Sequence, residues 1–218
     1  MTDKSVTGSD DQPRWTRRKE ARAPEILDAA LACFSEKGFA ATRMEDIARR
    51  ARISKGTIYL YFASKEAVFK ALARAHLAGR VEEISRFIAG FEGNTPDLLR
   101  LVLYRVGSLV TDSDIVVLPR LVLAEAGNFP ELAEHWRHEV VDRGIALWES
   151  IIRRGQARGE FRAIEPNHAA RLCIAPLLVA ALWRSFFSRF DETPYDYRGL
   201  IEAHVNTLLR GLSAEQSS

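Results

Sequence analysis

Apolar residues recur at helical spacing along most of this chain. Met44, Ile47 and Ala48, for example, lie at positions i, i+3 and i+4, which is the spacing of one buried face of an amphipathic helix. No segment shows the alternation of apolar and polar residues that indicates a half-buried strand. The pattern therefore predicts an all-α protein with about nine helices.

Capping residues around that apolar face predict two short helices joined by a tight turn. Thr42 followed by Glu45 has the spacing of a capping box at the start of the first helix. Ser54 is a favourable N-cap for the second helix, which we expect over residues 55–60. A second helix whose first turn faces outward is the arrangement that docks in the DNA major groove. We therefore predict a helix-turn-helix motif at about residues 43–62.

The run over residues 26–72 resembles the N-terminal domain of the TetR family of transcriptional regulators. The resemblance rests on an apolar first helix ending in Phe34 and Gly38-Phe39, the cap at Thr42, the turn Ser54-Lys55-Gly56-Thr57-Ile58-Tyr59, the pair Tyr61-Phe62, and Ser64-Lys65-Glu66 at the start of a long fourth helix. From about Val81 onward the sequence shows no motif that we can name. The resemblance implies an N-terminal three-helix DNA-binding domain followed by a larger helical domain for effector binding and dimerisation.

We divide the chain into three parts on this basis. Residues 1–19 are expected to form a flexible basic arm, which either contacts DNA or is solvated. Residues 20–80 form the DNA-binding domain, and residues 81–218 form the effector-binding and dimerisation domain. The arm carries the basic residues Arg14, Arg17, Arg18 and Lys19.

Charge is divided unequally between these parts, although the formal net charge is only +2. Residues 1–80 contain 16 Lys and Arg against 10 Asp and Glu, whereas residues 81–218 contain 15 against 19. A basic region binds DNA phosphates through counterion release, and an acidic region is repelled by them. The division therefore favours DNA binding by the N-terminal part alone.

The helix-turn-helix supplies the candidate DNA contacts. Its candidates for base edges or nearby phosphates are Arg43, Arg52, Lys55 and Thr57. Its candidates for holding the DNA backbone are Thr42, Ser54, Tyr59, Tyr61 and Lys65. Gly56 has no side chain, so it would let the helix approach DNA closely.

Proline and glycine divide the remainder into helices. Ser64 is expected to cap a helix that continues to about Ala89 and links the two domains mechanically. Pro130 at a first helical position predicts a long helix that reaches about Arg158. The last two helices are expected at about residues 166–189 and 195–212.

The first of these last two helices is apolar around much of its circumference, so both of its sides must be buried. Either a partner subunit or a monomeric core buries the second side. The resemblance favours a partner, because the final two helices of such regulators usually form a four-helix bundle across a twofold axis. A twofold dimer would bind a palindrome. The candidate interface residues are Leu172, Pro176, Leu177, Ala180, His204 and Leu208.

Aromatic and apolar residues of the rear domain are candidates for lining an effector pocket. They are Tyr104, Trp136, Trp148, Leu178, Trp183, Phe186 and Phe187. They indicate an apolar or amphipathic small molecule without identifying it. The i, i+4 pairs Glu131/His135 and Glu134/His138 could hold a metal, but a solvated polar helix face also explains them. We expect no metal and no cofactor.

Cysteines and hydropathy bear on the cellular compartment. Cys33 and Cys173 lie in separate predicted domains, so neither a disulfide framework nor metal-ligand spacing is indicated. The polar N-terminus lacks a secretory signal. The longest apolar run, residues 172–183, is shorter than the ~20 residues that a bilayer span requires. We expect a cytoplasmic protein without a membrane partner.

Together these features predict a homodimeric, sequence-specific transcriptional repressor, which a small-molecule effector releases from a palindromic operator in double-stranded DNA. We expect no enzymatic activity, since the chain has no nucleophile elbow, phosphate-binding glycine loop or metalloprotease motif. Two alternatives stay open: a regulator that acts as an activator, and a small all-helical enzyme with an unrecognised site. An architectural DNA binder would be basic throughout, and the acidic rear half argues against it.

Overall fold

The computed structural model describes residues 14–75, 79–112 and 116–214. These parts are all-helical, as predicted, and their extended pairing is confined to one isolated bridge between Phe161 and Ser213. In chain order the α-helices are α1 (Arg14–Ala41), α2 (Met44–Arg50), α3 (Lys55–Tyr59), α4 (Lys65–Ala73), α5 (Gly79–Ala89), α6 (Thr95–Asp112), α7 (Val117–Glu125), α8 (Pro130–Trp136), α9 (Arg143–Ala157), α10 (Pro166–Phe186) and α11 (Tyr197–Leu212).

The chain divides into two compact units, Met1–Val68 and Phe69–Ser218. We call them the front unit and the rear unit. The division falls within α4, whereas the predicted domain boundary lies further along the chain, between residues 80 and 81. α4 therefore contributes residues to both units.

α1 is longer than the sequence pattern indicated. It begins at Arg14, so residues 14–19 of the predicted arm are its first turns, and residues 1–13 lie outside the described residues. Near its other end, Gly38 has φ 78° and ψ 171°, which kinks the helix. That conformation is essentially restricted to glycine, because a Cβ atom would clash with the backbone.

The core of the front unit is built by apolar side chains from each of its helices. Phe34 and Phe39 of α1 are fully buried, and their rings lie 5.3 Å apart between centroids. Ile47 of α2 and Ile58 of α3 are also fully buried. The predicted apolar face of α2 is confirmed, since Met44 and Ala48 are buried with Ile47. Burial of these faces fixes the two short helices to α1.

The predicted linking helix is described as two helices, α4 and α5. Ser64 Oγ accepts a hydrogen bond from the Ala67 N–H at 3.2 Å, which is the predicted N-cap. Residues 76–78, between α4 and α5, lie outside the described residues. Continuity of the predicted helix from Ser64 to Ala89 therefore stays a prediction.

The rear unit is a helical bundle in which α10 packs against α6, α9 and α11. Its core includes Leu103 of α6, Trp148 and Ile151 of α9, and Cys173 and Leu177 of α10. Burial of this apolar surface is the main source of stability in such a bundle.

α8 and α9 form one long helix, as the proline at position 130 predicted. Pro130 is the first residue of α8, and a π-helical stretch, Arg137–Asp142, joins it to α9, which ends at Ala157. π-helical turns commonly occur inside longer α-helices. The prediction of a helix to about Arg158 is confirmed.

α10 is long and apolar enough to span a membrane by length and composition, with 21 residues and a mean hydropathy of 1.4 in its most apolar window. The uninterrupted apolar run, residues 172–183, is shorter than this helix, because Arg171 and Arg184 lie inside α10. One side of α10 is buried in the rear unit at Ala169, Cys173 and Leu177. A core helix of a soluble protein has the same composition, so this one helix is weak support for a membrane span.

Candidate nucleic-acid interface

The turn between α2 and α3 is fixed by hydrogen bonds at the end of α2. The Ile53 N–H donates to the Ala48 carbonyl at 3.0 Å, and the Arg52 N–H donates to the Arg49 carbonyl at 3.2 Å. This pair of bonds is a Schellman motif, whose C′ residue adopts a left-handed conformation. Arg52 occupies that position with φ 55°, where glycine is usually favoured.

The start of α2 differs by one residue from the predicted capping box. The N-cap is Arg43, whose backbone N–H donates to Asp46 Oδ2 at 3.1 Å. Thr42 is 1% exposed, and its hydroxyl donates to the Gly38 carbonyl at 2.7 Å. The prediction of Thr42 and Glu45 as a capping box is therefore wrong. The Thr42 side chain holds the end of α1 instead of facing DNA.

The start of α3 is capped by Ser54, as predicted. Ser54 Oγ accepts a hydrogen bond from the Thr57 N–H at 3.1 Å and lies 2.8 Å from the Thr57 hydroxyl oxygen. An N-cap of this kind typically contributes ~1 kcal/mol to helix stability. Both hydroxyls thus take part in orienting the helix.

α3 presents one face outward while Ile58 anchors the opposite face in the core. Lys55, Gly56 and Tyr59 on this outward face are exposed. A Cβ atom added at Gly56 would have only Ser54 Oγ nearby, at 3.9 Å. The absence of a side chain at Gly56 is therefore not required by packing inside the unit, and it leaves the backbone open to an external partner.

Lys55 is paired across the turn with an acidic residue of α2. Its Nζ lies 2.6 Å from Glu45 Oε1, and both side chains are exposed. The hydrogen bond to Glu45 raises the pKa of Lys55, and the same bond to Lys55 lowers the pKa of Glu45. Lys55 therefore stays positively charged on the outward face at neutral pH.

Several other basic side chains in or near the motif are also paired with acidic ones. Arg49 and Lys37 both pair with Asp46, and Arg50 pairs with Glu36. Among the described residues 22–65, the structure shows no ion pair for Arg22, Arg43 and Arg52. These three exposed guanidinium groups have no carboxylate to release before they contact a phosphate.

Lys65 lies at the end of α1 and not on the outward face of α3. Its ammonium donates to the Phe39 carbonyl at 2.6 Å and to the Ala40 carbonyl at 3.1 Å. It also lies 4.4 Å from the centroid of the Phe39 ring. A cation at the C-terminus of a helix stabilises that end. This geometry gives Lys65 a structural role in joining α4 to α1.

The structure thus sorts the predicted DNA contacts into two groups. Arg43, Arg52, Lys55, Gly56 and Tyr59 are exposed, and Thr57 and Tyr61 are half-buried. The hydroxyls of Ser54 and Thr57 contact each other at the start of α3, and the side chains of Thr42 and Lys65 are bound to the end of α1, as described above. One exposed residue of this surface was missed, namely Leu60 directly after α3. Its position four residues after Gly56 could have placed it on the same helix face.

The predicted effector-pocket residues do not form one cluster in the rear unit. Trp148 is buried in the core, and Trp136 is half-buried. The remaining five are exposed: Tyr104, Leu178, Trp183, Phe186 and Phe187. Regular spacing of aromatic residues along a helix does not specify whether a given one faces a core, a cavity or solvent. The predicted effector pocket therefore stays a prediction.

A recess of about 430 Å³ lies where α10 leads into α11, and none of the predicted pocket residues lines it. Its lining includes Arg184, Asp191 and Tyr197. The Tyr197 hydroxyl is buried and has no hydrogen-bond partner among the described residues. Burial raises the pKa of this phenol, so it is neutral at physiological pH.

The predicted dimer-interface residues also lie in different environments. Leu177 and Ala180 are buried in the rear-unit core and offer no surface to a partner. Pro176, His204 and Leu208 are half-buried, and His204 Nε2 lies 3.0 Å from the Cys173 carbonyl oxygen. Leu172 is exposed on α10. Exposed apolar residues that were not predicted, such as Val179, share this helix.

The two histidines of the α8 region have separate partners. His138 Nδ1 lies 3.2 Å from Asp142 Oδ2. His135 is half-buried, and its Nε2 atom has no hydrogen-bond partner in the part of the chain that the structure describes. Among the described residues, no three His, Cys, Asp or Glu side chains are grouped as a metal site would require. His138 therefore contacts Asp142, and neither of the proposed i, i+4 pairs is seen as a contact among the described residues.

A short helix with a basic, open face, held by a tight turn against a second helix, defines a helix-turn-helix transcriptional regulator. Comparison with known protein families supports this assignment to the helix-turn-helix regulators. Residues 26–72 match the bacterial regulatory proteins of the tetR family, and residues 92–191 match the tetracyclin repressor-like C-terminal domain. The chain belongs to the TetR family. It is a DNA-binding transcriptional regulator and not an enzyme.

Similar proteins extend over nearly the whole chain. YfiR of Bacillus subtilis (strain 168), an uncharacterized helix-turn-helix transcriptional regulator, is 24% identical over 94% of this chain and 98% of its own. The transcriptional repressor KstR2 of Rhodococcus jostii (strain RHA1) is 27% identical over 77% of this chain and 82% of its own. The structure of FadR from Bacillus subtilis with stearoyl-CoA has a TM-score of 0.73 at 22% identity, covering 87% of this chain and 98% of that one.

Proposed function

We propose that this protein is a homodimeric repressor that binds a palindromic operator and is released by an apolar or amphipathic small molecule. The observation that carries the proposal is the outward face of α3, where Lys55 and Tyr59 are exposed beside Gly56. Arg43 and Arg52 supply further positive charge on the motif. Helix-turn-helix proteins place such a face in the major groove, with basic side chains on the flanking phosphates.

Dimerisation is supported by an apolar stripe on α10. Leu172, Val179, Trp183 and Phe186 follow one another at intervals of seven, four and three residues, which places them on one helix face, and all four are exposed. A contiguous exposed apolar face of this kind marks an interaction surface. A second copy of the same helix would bury it by twofold symmetry.

Effector response requires a connection between the rear unit and the DNA-binding motif. α4 provides one through the chain itself, because its residues from Phe69 onward belong to the rear unit. Arg74, just after α4, lies 3.9 Å from Glu139 of the π-helical stretch. The Lys70 backbone opposes the lowering of the His135 pKa by burial, so His135 of α8 lies next to α4. An effector that moves α8 would therefore move α4.

We infer that the effector is an apolar or amphipathic molecule bound in the rear unit. The similar fold of FadR with stearoyl-CoA makes a long-chain acyl-CoA a reasonable first probe. Coupling between two sites is reciprocal, so operator DNA must weaken effector binding by the factor by which effector weakens operator binding. Unequal factors, measured under matched conditions, would contradict a two-state release mechanism.

The proposal is tested by selecting bound fragments from a random duplex library at moderate salt. A recovered palindrome is expected, and it supplies the probe for effector screening. A single recovered half-site would contradict the dimeric arrangement, while no enrichment by folded protein would contradict sequence-specific binding. Since its DNA target is in the cytoplasm of a bacterial cell, we also infer a cytoplasmic location.

A further inference from the structure

Leu60 is an apolar side chain on the recognition surface that the fold does not use. It is 73% exposed, more than any other large hydrophobic side chain among the described residues. Ile58, two positions earlier, is fully buried and supplies the core contact of α3. Folding therefore gives no reason for a leucine at position 60.

The backbone holds Leu60 in line with the outward face of α3. It is the C-cap of this helix, with helical φ of −72° and ψ of −21°. Its N–H donates to the Thr57 carbonyl at 3.1 Å. Residues three and four positions apart share a helix face, so Leu60 lies on the same face as Gly56 and Thr57. Gly56 leaves that face open one turn before Leu60.

An exposed leucine alone is ordinary on a protein surface. The position of this leucine makes it informative, because the surrounding exposed groups are suited to DNA. Tyr59 precedes it, and Lys55 begins the same helix. A leucine side chain can form no hydrogen bond with the phosphates or the deoxyribose oxygens of the DNA backbone. In the major groove, the apolar group that a base edge presents is the C5-methyl of thymine.

We propose that Leu60 recognises a thymine methyl group in each operator half-site and so contributes to sequence specificity. The inference rests on the proposed function, since it requires that α3 enters the major groove. Lys55 and the guanidinium groups would supply affinity for any sequence, whereas Leu60 would discriminate thymine from the other bases. Contact with one methyl group corresponds to about a fourfold change in affinity.

The test replaces each thymine of the selected operator by deoxyuridine, symmetrically in both half-sites. This substitution removes the methyl group and leaves the hydrogen-bonding groups of the base pair unchanged. Wild-type protein is expected to lose affinity by about fourfold per half-site at one thymine position. Leu60→Ala is expected to bind thymine and deoxyuridine operators equally at that position. Leu123→Ala, which truncates an exposed leucine on α7 of the rear unit, should keep the wild-type response.

Two results would overturn the inference while leaving operator binding intact. In the first, wild-type protein shows no preference for thymine over deoxyuridine at any position. In the second, Leu60→Ala keeps the full preference, so that another residue contacts the methyl group. Failure of the random-library selection to yield any operator would instead contradict the proposed function itself. Because Leu60 is exposed, Leu60→Ala should fold with the wild-type melting temperature, which thermal unfolding checks.

Discussion

The front and rear units expose large apolar side chains in different ways. In the described part of the front unit these side chains are Tyr59 and Leu60, both at the end of α3. In the rear unit they are numerous and many lie on α10, such as Val179 and Trp183. Apolar surface that a single chain leaves exposed commonly marks the site where a partner binds. This difference fits the proposal that the front unit binds DNA and the rear unit binds a second subunit.

The strongest test of this division places a charge on the α10 stripe. Val179 is 60% exposed, so Val179→Arg should leave the fold intact and convert the dimer to a monomer. Operator affinity is expected to fall by about 10²–10⁴-fold, because the two DNA-binding units would no longer be linked. Analytical ultracentrifugation and operator titration measure the two effects.

Leu123→Arg is the matched control, since Leu123 is 58% exposed and lies on α7 outside the stripe. It should stay dimeric and bind the operator normally. A monomeric Leu123→Arg protein, or a dimeric Val179→Arg protein, would show that the α10 stripe is not the subunit interface.

Two glycines of the front unit should respond oppositely to alanine. Gly38→Ala should lower the free energy of unfolding by about 1–3 kcal/mol, because alanine does not tolerate the backbone conformation there. Gly56→Ala should raise it by up to ~1 kcal/mol, because Gly56 is helical and a Cβ atom fits. Gly56→Ala should nevertheless weaken operator binding about tenfold, through the loss of ~1.4 kcal/mol of close contact.

Denaturant unfolding and operator titration on both variants separate these roles. Unchanged operator affinity in Gly56→Ala would mean that the face of α3 does not approach DNA closely at this position. Equal destabilisation by both substitutions would mean that the conformation at Gly38 is not special.

Lys55→Met tests whether the charge on α3 meets a phosphate. The plot of log K for operator binding against log salt concentration should become shallower, its slope changing by about one for each protomer. The free energy of unfolding should hardly change, because the Lys55–Glu45 pair is exposed and water screens such pairs. Arg105→Met, which removes an exposed pair with Glu83 in the rear unit, should leave the salt dependence unchanged. The same slope for both variants would exclude Lys55 as a phosphate contact.

The smallest expected effect concerns His135 in the rear unit. Burial lowers the pKa of this imidazole. The Lys70 backbone and the Glu139 charge raise the pKa in opposition, and the charges of Lys70 and Arg74 lower it further. A lowered pKa in the folded state means that His135 contributes its full stability above about pH 6.5. That contribution is lost progressively as the pH falls below this value.

Unfolding of wild-type protein and His135→Gln between pH 5 and pH 8 checks this expectation. The variant should lose less stability on acidification than the wild type. Identical pH dependence in the two proteins would show that the imidazole titrates in the folded chain as it does in the unfolded one.

The sequence was most informative where structure depends on neighbouring residues. Ser54 was identified as the cap of α3 because its hydrogen bond reaches only three residues, to Thr57. Thr42 was misassigned because its partners, the Cys33 and Gly38 carbonyls, are supplied by the end of another helix. In the rear unit, Trp148 is buried and Trp183 is exposed. Only the structure distinguishes them, because the residues around each come from other helices.

By itself, the sequence determined the helical character of this protein, the start of α3 at the Ser54 cap, and the family that residues 26–72 resemble. Those features follow from periodicity and capping within one or two helical turns. The tertiary structure decided that Lys65 is bound to α1, that Glu45 faces Lys55, and that Leu60 is left exposed. These depend on which helices meet, and residues distant in the chain determine that through burial of their apolar faces.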